Sequence, residues 1–476
     1  MANERGQRLF RRHRQGNLKV DVKAGEILRR AIPLGLANMS VVLMPLLDSV
    51  MLGQHDIYSM ASGGLAMQIY LILFMLGEGI VFGFGPVYGR YLDAGDHQKM
   101  ASCKLAVYLV LIAFALVAFV ILLYGPQILL SLQQSPRLVD ESQDYLMLLG
   151  LAVLPNLLFI HYWEILAFHD QGKWVVAGAI IQLLTNTLLN YMLIYGKWGA
   201  PELGLLGSGI GTLVASMVGA GVLMALMSTY TSSPTSQLVR DLLTVRTSLL
   251  PHIAEVLKTG LPIGLGIIST VAFLSASVFL MGWFGEQALA AHLAILQINE
   301  LIVVFILGFN EYCAIHVSSH ISTATGRALR RFLFKVAVTA LGFIMSLLTL
   351  IYLIRFEIFA LFLGPRTDVT LPVYTAMNEF LSVSLPFLLV DAFILLLTGV
   401  LRGCEITRWP LALNLVGFWL FGLIPQLLLV KAWPSTPLVV WIGMQTGFIA
   451  TALALTVFFF KYSCAPGNER QPPGHR

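Results

Sequence analysis

The sequence is a series of long apolar stretches separated by short polar links. Twelve of these stretches reach or approach the roughly 20 residues that a helix needs to cross a bilayer. The pattern therefore predicts an all-α polytopic membrane protein with twelve transmembrane helices. The predicted helices span 27–52, 61–88, 104–124, 143–168, 174–195, 204–229, 253–283, 288–318, 332–354, 373–401, 409–430 and 436–461.

The two halves of the chain repeat each other. Adding 229 to the residue numbers carries 33–90 onto 262–319 without a gap, and Pro33 recurs as Pro262. Each half holds six predicted helices, an even number, so both halves enter the membrane from the same side. We therefore expect two six-helix lobes related by a parallel internal repeat, with a substrate site where the lobes meet.

The polar segments divide the chain and orient it. The predicted parts are a basic arm (1–26), an N-lobe (27–230), an inter-lobe loop (231–252), a C-lobe (253–462) and a tail (463–476). If the N terminus is inside, 25 of the 30 Lys and Arg residues lie on the inner side. The positive-inside rule then predicts that the arm, the inter-lobe loop, the tail and both termini are cytoplasmic.

Composition supports a membrane protein and excludes several other classes. The chain is 57% hydrophobic and 12% charged, with a mean hydropathy of +0.80, whereas soluble domains carry about 25% charged residues. The four cysteines show no metal-ligand or disulfide spacing. No Walker A motif, Ser-His-Asp set or metal constellation occurs, so we expect neither an enzyme nor an ATP-driven pump. The basic arm lacks the folded platform of a nucleic-acid-binding domain, so no nucleic-acid partner is expected.

The first apolar stretch carries an acid well inside it. Asp48 lies within PLGLANMSVVLMPLLDSVMLG (33–53), which also contains Pro33 and Pro45. A charged side chain in hydrocarbon is costly, so such an acid usually faces an interior cavity and handles ions or protons. Each proline removes an internal backbone hydrogen bond, which predicts a kink or hinge near Asp48. Under the repeat, Ser277 takes the position that corresponds to Asp48, so only one half carries this acid.

A second deep acid lies in the tenth predicted helix. Asp391 follows Pro386 by five residues and repeats the combination of proline and acid found in the first helix. Both Asp391 and Asp48 lie among apolar residues without a basic neighbour, which favours a functional role over a structural one.

Four glutamates are secondary candidates. Glu78 and Glu311 occupy nearly equivalent places in helices 2 and 8, and under the repeat they differ by one helical turn, so they share a face. A glutamate that burial keeps neutral would account for each of them without any function. Glu300 and Glu164 are weaker candidates on the same grounds.

Polar residues in helices 5 and 6 complete the set. Asn186 and Asn190 are four residues apart and share a helical face, and Thr212 lies in the next helix. Hydrogen bonding between helices would explain all three. They become part of the site if helix 5 faces Asp48.

A set of sequence motifs extends along the whole chain. The motifs are LLDSVMLG (46–53), GFGPVYGRYLDAGD (83–96), NTLLNYMLIYGKWGAPELGLLGSGIGT (186–212), GLPIGL (260–265), ALAAH (288–292), and Asp391 followed by LRG (401–403). In these motifs, their order and their spacing, the chain resembles the multidrug and toxic compound extrusion (MATE) transporters, and among them the NorM-like bacterial branch.

The resemblance implies the MATE/MOP fold, with a central V-shaped cleft. It also implies export of organic, mainly cationic, compounds in exchange for H⁺ or Na⁺. By position, Asp48 corresponds to the N-lobe carboxylate of the family, surrounded by Asn186, Asn190 and Thr212. Asp391 corresponds to the C-lobe carboxylate on helix 10.

One position departs from the family pattern. NorM-like members usually carry a glutamate in helix 7 where this chain has Thr270, so the cation site of the C-lobe is incomplete. Sodium requires several hard oxygen ligands, whereas a proton needs one suitable carboxylate, so we expect H⁺ rather than Na⁺ as the coupling ion.

The sequence therefore predicts a secondary antiporter in the bacterial inner membrane. It would export organic cations or zwitterions by alternating access, without a resident metal or cofactor. We expect a monomer whose other partner is the lipid bilayer. Two alternatives stay open at this point: a lipid-linked oligosaccharide flippase of the same superfamily, and a non-transporting receptor or assembly protein. The absence of Lys and Arg deep in the first six helices disfavours the flippase, because its substrate is anionic.

Overall fold

A computed structural model describes residues 22–37, 39–169, 171–230, 249–318, 326–404, 406 and 408–464. The described residues form helices and turns, with no β-strand among them. Most of the predicted basic arm, inter-lobe loop and cytoplasmic tail lies outside these ranges.

The described residues of the first half of the chain form eight α-helices. The loops between them are short, and Gly196 ends one helix in the left-handed conformation with φ of +63°. The helices are α1 (Ala24–Ala37), α2 (Met39–His55), α3 (Ile57–Asp93), α4 (His97–Leu123), α5 (Gly125–Ser131), α6 (Pro136–Phe168), α7 (Gly172–Tyr195) and α8 (Leu205–Tyr230).

Within the second half, the residues that the structure describes form a further eight α-helices. A π-helical turn at Trp419–Leu423 joins α14 to α15, so these two helices together form the predicted helix 409–430. The helices are α9 (Leu250–Gly282), α10 (Glu286–Ser318), α11 (Gly326–Leu353), α12 (Arg355–Leu363), α13 (Leu371–Gly403), α14 (Arg408–Phe418), α15 (Ile424–Ala432) and α16 (Leu438–Cys464).

The predicted class, an all-α polytopic membrane protein, is confirmed. Among the described residues, 11 helical segments are long and apolar enough to cross a membrane. They correspond to predicted helices 2 to 12. The first predicted helix, 27–52, is covered by α1 and α2, which contain Pro33 and Pro45 respectively. The count of twelve crossings therefore depends on treating α1 and α2 as one span.

The described residues group into two compact units. The 44–293 unit comprises the described residues of Met44–Leu293 with Leu361–Pro365, and the 294–476 unit comprises those of Ala294–Ala360 and Arg366–Arg476 with Met1–Leu43. These units reflect packing and do not test the lobe boundaries read from the repeat, which stay a prediction.

Within the 44–293 unit, α3 and α9 meet along four glycines. A Cβ atom at Gly79 would collide with the backbone of Gly264, and one at Gly83 would collide with the backbone of Gly260. Small residues four apart let two membrane helices approach until their backbones touch. We call Gly79, Gly83, Gly260 and Gly264 the glycine seam. Each helix contributes one G-x-x-x-G pair to it.

Within the 294–476 unit, polar side chains join α10 to α13. Asn310 Nδ2 donates to the carbonyl oxygen of Leu395 at 2.6 Å, and Arg402 Nη2 donates to Asn310 Oδ1 at 2.7 Å. Gly399 packs directly against the Asn310 backbone. A buried polar group costs free energy unless it is paired, and these bonds satisfy Asn310 inside the bundle.

Candidate functional site

Asp48 is buried in α2 at a point where the helix lacks one backbone hydrogen bond. Its side chain is 5% exposed, and Pro45 lies three residues earlier. Among the described residues, no Lys, Arg or His forms an ion pair with it. A buried carboxylate without a cation is strongly disfavoured in its charged form. The position therefore suits a group that takes up a proton or a cation.

The side chains around Asp48 come from α7 and α8. Asn190 Nδ2 donates to Asp48 Oδ1 at 2.5 Å and lies 3.4 Å from Asn186 Oδ1. Asn186 Nδ2 in turn donates to Thr212 Oγ1 at 3.4 Å. Both asparagines are fully buried, and Thr212 is 5% exposed. The structure thus brings together the four residues that the sequence assigned to the N-lobe site.

Two local features hold these helices close to Asp48. Gly211 packs against the Asn190 amide, where a Cβ atom would overlap Asn190 Oδ1, so only glycine lets α8 approach α7 here. Tyr195 Oη donates to the Met51 carbonyl oxygen at 2.7 Å, which ties the end of α7 to α2 one turn beyond Asp48. The amide of Asn190 is therefore aimed at the carboxylate by packing on both sides.

The arrangement leaves one acceptor unused. Asn190 Oδ1 is buried and has no hydrogen-bond partner among the described residues. It would accept a hydrogen bond from a protonated carboxyl group or contribute to the coordination of a small cation. A single site can therefore alternate between a proton, a small cation and a positively charged organic group.

The position that repeats Asp48 has different chemistry. Ser277 on α9 is fully buried, and its hydroxyl lies 3.2 Å from His292 Nε2. This second location therefore offers no carboxylate. A hydroxyl and an imidazole therefore lie together at Ser277, whereas a carboxylate and amides lie together at Asp48.

The remaining predicted residues do not join the Asp48 cluster. Thr270 is exposed on α9, in the same unit as Asp48, and Glu78 is half-buried on α3. Asp391 is half-buried on α13 in the 294–476 unit, and that unit also holds Glu311, half-buried, and Glu300, exposed. Their assignments stay predictions. No group of three or more His, Cys, Asp or Glu side chains with metal-binding geometry occurs in the part of the chain that the structure describes.

Sequence reasoning missed four polar residues that extend from this cluster. Gln182 Nε2 donates to Asn156 Oδ1 at 3.1 Å, and Asn156 Nδ2 donates to Tyr70 Oη at 3.0 Å. Tyr145 is 2% exposed and packs against Gly209 of α8. A signal for Gln182 was present, because it precedes Asn186 by four residues and so shares its face. Nothing in the sequence indicated which helix Asn156 or Tyr70 would face.

Comparison with known proteins places the chain in a family. A protein of Bradyrhizobium diazoefficiens named "Probable multidrug resistance protein NorM" is 26% identical over 437 residues, 91% of this chain and 92% of its own length. A protein of the same name from a Synechococcus strain is 28% identical over 449 residues, 91% of this chain and 93% of its own length.

A solved structure shares the fold. It is described as the inward-facing conformation of a multidrug resistance MATE family transporter of the MOP superfamily. The likeness has a TM-score of 0.81 at 16% identity and covers 93% of this chain and 98% of that one.

The sequence model of the MatE family matches twice, over residues 33–192 and 262–428. The two matches begin 229 residues apart, which is the offset of the internal repeat. Together they cover more than half of the sequence, and the chain belongs to the MatE family.

Proposed function

We propose that this protein is a secondary antiporter that exports organic compounds, mainly cations, in exchange for protons. The observation that carries the proposal is the buried Asp48 carboxylate, which two amides and a hydroxyl surround. No basic side chain among the described residues forms an ion pair with it. The name shared by the relatives, multidrug resistance protein NorM, supports a broad range of small organic substrates.

Antiport follows from competition for one negative charge. A deprotonated Asp48 attracts a cationic substrate and a protonated Asp48 does not, so the uptake of a proton favours release of the substrate. A ligand shifts a conformational equilibrium only through its different affinities for the two states. Alternating access then requires that one charge state of Asp48 favours a substrate cavity open to one side of the membrane, and that the other charge state favours a cavity open to the other side.

A proton suits this site better than sodium does. Sodium needs several oxygen ligands arranged around it, whereas a proton needs one carboxylate oxygen and benefits from one acceptor beside it. Asn190 Oδ1 is such an acceptor. The family resemblance expects a glutamate in helix 7 where this chain has Thr270, so that position supplies no carboxylate to a metal ion.

The test is transport by the purified protein in proteoliposomes with an imposed pH gradient. Addition of a cationic drug is expected to collapse the gradient in liposomes that contain the protein and to leave it intact in empty liposomes. A gradient that persists at every drug concentration would favour the receptor or assembly role.

We also expect the protein to prefer cations to anions. Six of the candidate side chains in predicted spans are acids, and the first six predicted helices hold no deep Lys or Arg, so the local potential favours positive ligands. Competition assays with matched dyes should show cationic dyes displacing a transported drug at lower concentrations than anionic dyes of similar size and hydrophobicity. Better displacement by the anionic dyes would reverse this assignment and favour the flippase.

A further inference from the structure

A polar stripe runs along α7 away from Asp48. Gln182, Asn186 and Asn190 follow one another at four-residue intervals, so their side chains lie on one face of the helix. Each of the three is less than one-tenth exposed. One end of the stripe bonds to Asp48 through Asn190, and the other end bonds through Gln182 to Asn156 on α6.

The stripe continues onto α3. Asn156 donates to the hydroxyl of Tyr70 at 3.0 Å, and Glu78 lies about two turns further along the same helix. Gly85, against which Glu164 of α6 packs, lies seven residues beyond Glu78 and so on the same face of α3. Within the 44–293 unit, polar side chains therefore occur at intervals between Asp48 and Glu164, and hydrogen bonds join those from Gln182 to Tyr70.

Glu164 lies against the α3 backbone. Its Oε1 atom is 3.2 Å from the position that a Cβ atom would take at Gly85. Its Oε2 atom is buried and has no hydrogen-bond partner among the described residues. A buried acceptor without a partner is costly, which is expected where a group changes its protonation state.

A second unpaired group lies one turn before Glu164. His161 is fully buried, and neither ring nitrogen has a hydrogen-bond partner among the described residues. Its ring packs edge-on against Phe84 at 4.6 Å and against Tyr108 at 5.1 Å. His161 and Glu164 are three residues apart, so both face α3, at the neighbouring residues Phe84 and Gly85.

The contacts between α3 and α6 follow the same order along both helices. Tyr70 meets Asn156, Phe84 meets His161, and Tyr88 Oη lies 3.3 Å from His169 Nε2 at the end of α6. The end of α6 is on the predicted cytoplasmic side. The order along both helices therefore leads from the neighbourhood of Asp48 to that surface.

Other charged and titratable groups face this region from the neighbouring helices. From α4, Lys104 Nζ lies 5.8 Å from the centre of the Tyr88 ring, and Tyr108 packs on His161. From α9, Glu255 pairs with Arg90 and accepts from Tyr91 at 2.9 Å, and His252 lies beside Tyr91 at 3.4 Å. Arg90 and Tyr91, with their partners Glu255 and His252, lie beyond Tyr88 towards the end of α3.

We propose that Glu78 and Glu164 form a proton relay that carries the proton from Asp48 to the predicted cytoplasmic end of α6. The proposal rests on proton coupling at Asp48 and adds the route by which the proton leaves. The O–H bond of the Asp48 carboxyl group breaks, and the proton passes through water to a carboxylate oxygen of Glu78. It then moves to Glu164 and from there to water beside His169. Each carboxylate returns to its ionised form as the proton moves on, so no oxidant or reductant is needed. The amides of the stripe do not titrate, and their role is to orient the water between the carboxylates.

The test compares Glu78→Gln and Glu164→Gln with Asp140→Asn, an exposed acid at the other end of α6. Purified protein in liposomes is assayed for proton release driven by a cationic drug and for exchange of labelled against unlabelled drug at equal pH. Loss of a relay group is expected to lower the ratio of proton release to drug exchange by about 100-fold, the low end of what a positioned proton-transfer group contributes. The ratio should recover in Glu164→Asp, which restores a carboxylate. In Glu164→Gln it should recover when a small permeant acid such as hydrazoic acid is added. Asp140→Asn should match the wild type.

Provided that the wild type releases protons, two results would overturn the relay. One is an unchanged ratio in both glutamine variants. The other is a parallel loss of proton release and drug exchange that neither Glu164→Asp nor the small acid restores, because that pattern indicates a structural role. Absence of proton release in the wild type itself would instead overturn the proposed proton coupling.

Discussion

Replacement of Asp48 by asparagine should reduce drug export to the level of cells without the protein. The side chain keeps its size, and Asn190 Nδ2 can still donate to the oxygen that remains, so folding and membrane insertion should survive. What is lost is the negative charge that a proton and a cationic substrate share. A buried neutral amide also costs less than a buried carboxylate, so we expect no loss of stability.

Drug resistance in cells expressing Asp48→Asn is the measurement, with the amount of protein in the membrane determined in parallel. Asp140→Asn serves as the matched control, because it makes the same chemical change at an exposed acid. Full resistance from cells that carry only the Asp48→Asn protein would show that this carboxylate does not couple transport to an ion.

The second large effect is expected at the glycine seam. In Gly83→Val, the added side chain would collide with the backbone of Gly260, which cannot move aside as a flexible side chain could. Forcing extra methyl groups into a packed interface typically costs about 1–3 kcal/mol of folding free energy, and a collision with backbone belongs at the upper end. Helices in a membrane associate largely through such close packing, so α3 and α9 should separate.

Thermal unfolding in detergent, followed by tryptophan fluorescence, measures this effect. Gly221→Val is the control, since a Cβ atom at Gly221 meets nothing within 4 Å. We expect a clear drop in melting temperature for Gly83→Val and none for Gly221→Val. Equal melting temperatures for the two variants would show that the contact between α3 and α9 contributes little to stability.

The fold class was predictable because the bilayer imposes it. Apolar stretches of about 20 residues must become helices, since the backbone has no other hydrogen-bond partners in hydrocarbon. Eleven such segments occur among the described residues, at predicted positions 2 to 12. The π-helical turn at Trp419–Leu423 was not predictable, because its residues have the same apolar pattern as the α-helices that flank it.

The candidate site was predictable only in part. The four-residue spacing of Asn186 and Asn190 gave their common face, and the family motifs linked that face to Asp48. The contact itself depends on tertiary packing, namely the fit of Gly211 against Asn190 and the bond from Tyr195 to Met51. Hydropathy does not encode such contacts, which is why Asn156 and Tyr70 were missed.

The internal repeat and the packing of the helices assign α9 to different partners. The repeat pairs the beginning of α9 with α1, because the two stretches share a pattern of proline and glycine. The glycine seam instead fixes α9 to α3 within the 44–293 unit. A repeat reports common ancestry, whereas a compact unit reports which helices touch in one structure. Both descriptions can therefore hold for one chain.

The most direct test of proton-coupled antiport at Asp48 compares transport driven by a pH gradient with transport driven by a sodium gradient. Drug accumulation is measured in proteoliposomes under two conditions: a pH gradient without sodium, and a sodium gradient at fixed pH with a protonophore present. Proton-coupled antiport predicts accumulation with the pH gradient and none with the sodium gradient. Robust accumulation with the sodium gradient alone would contradict it.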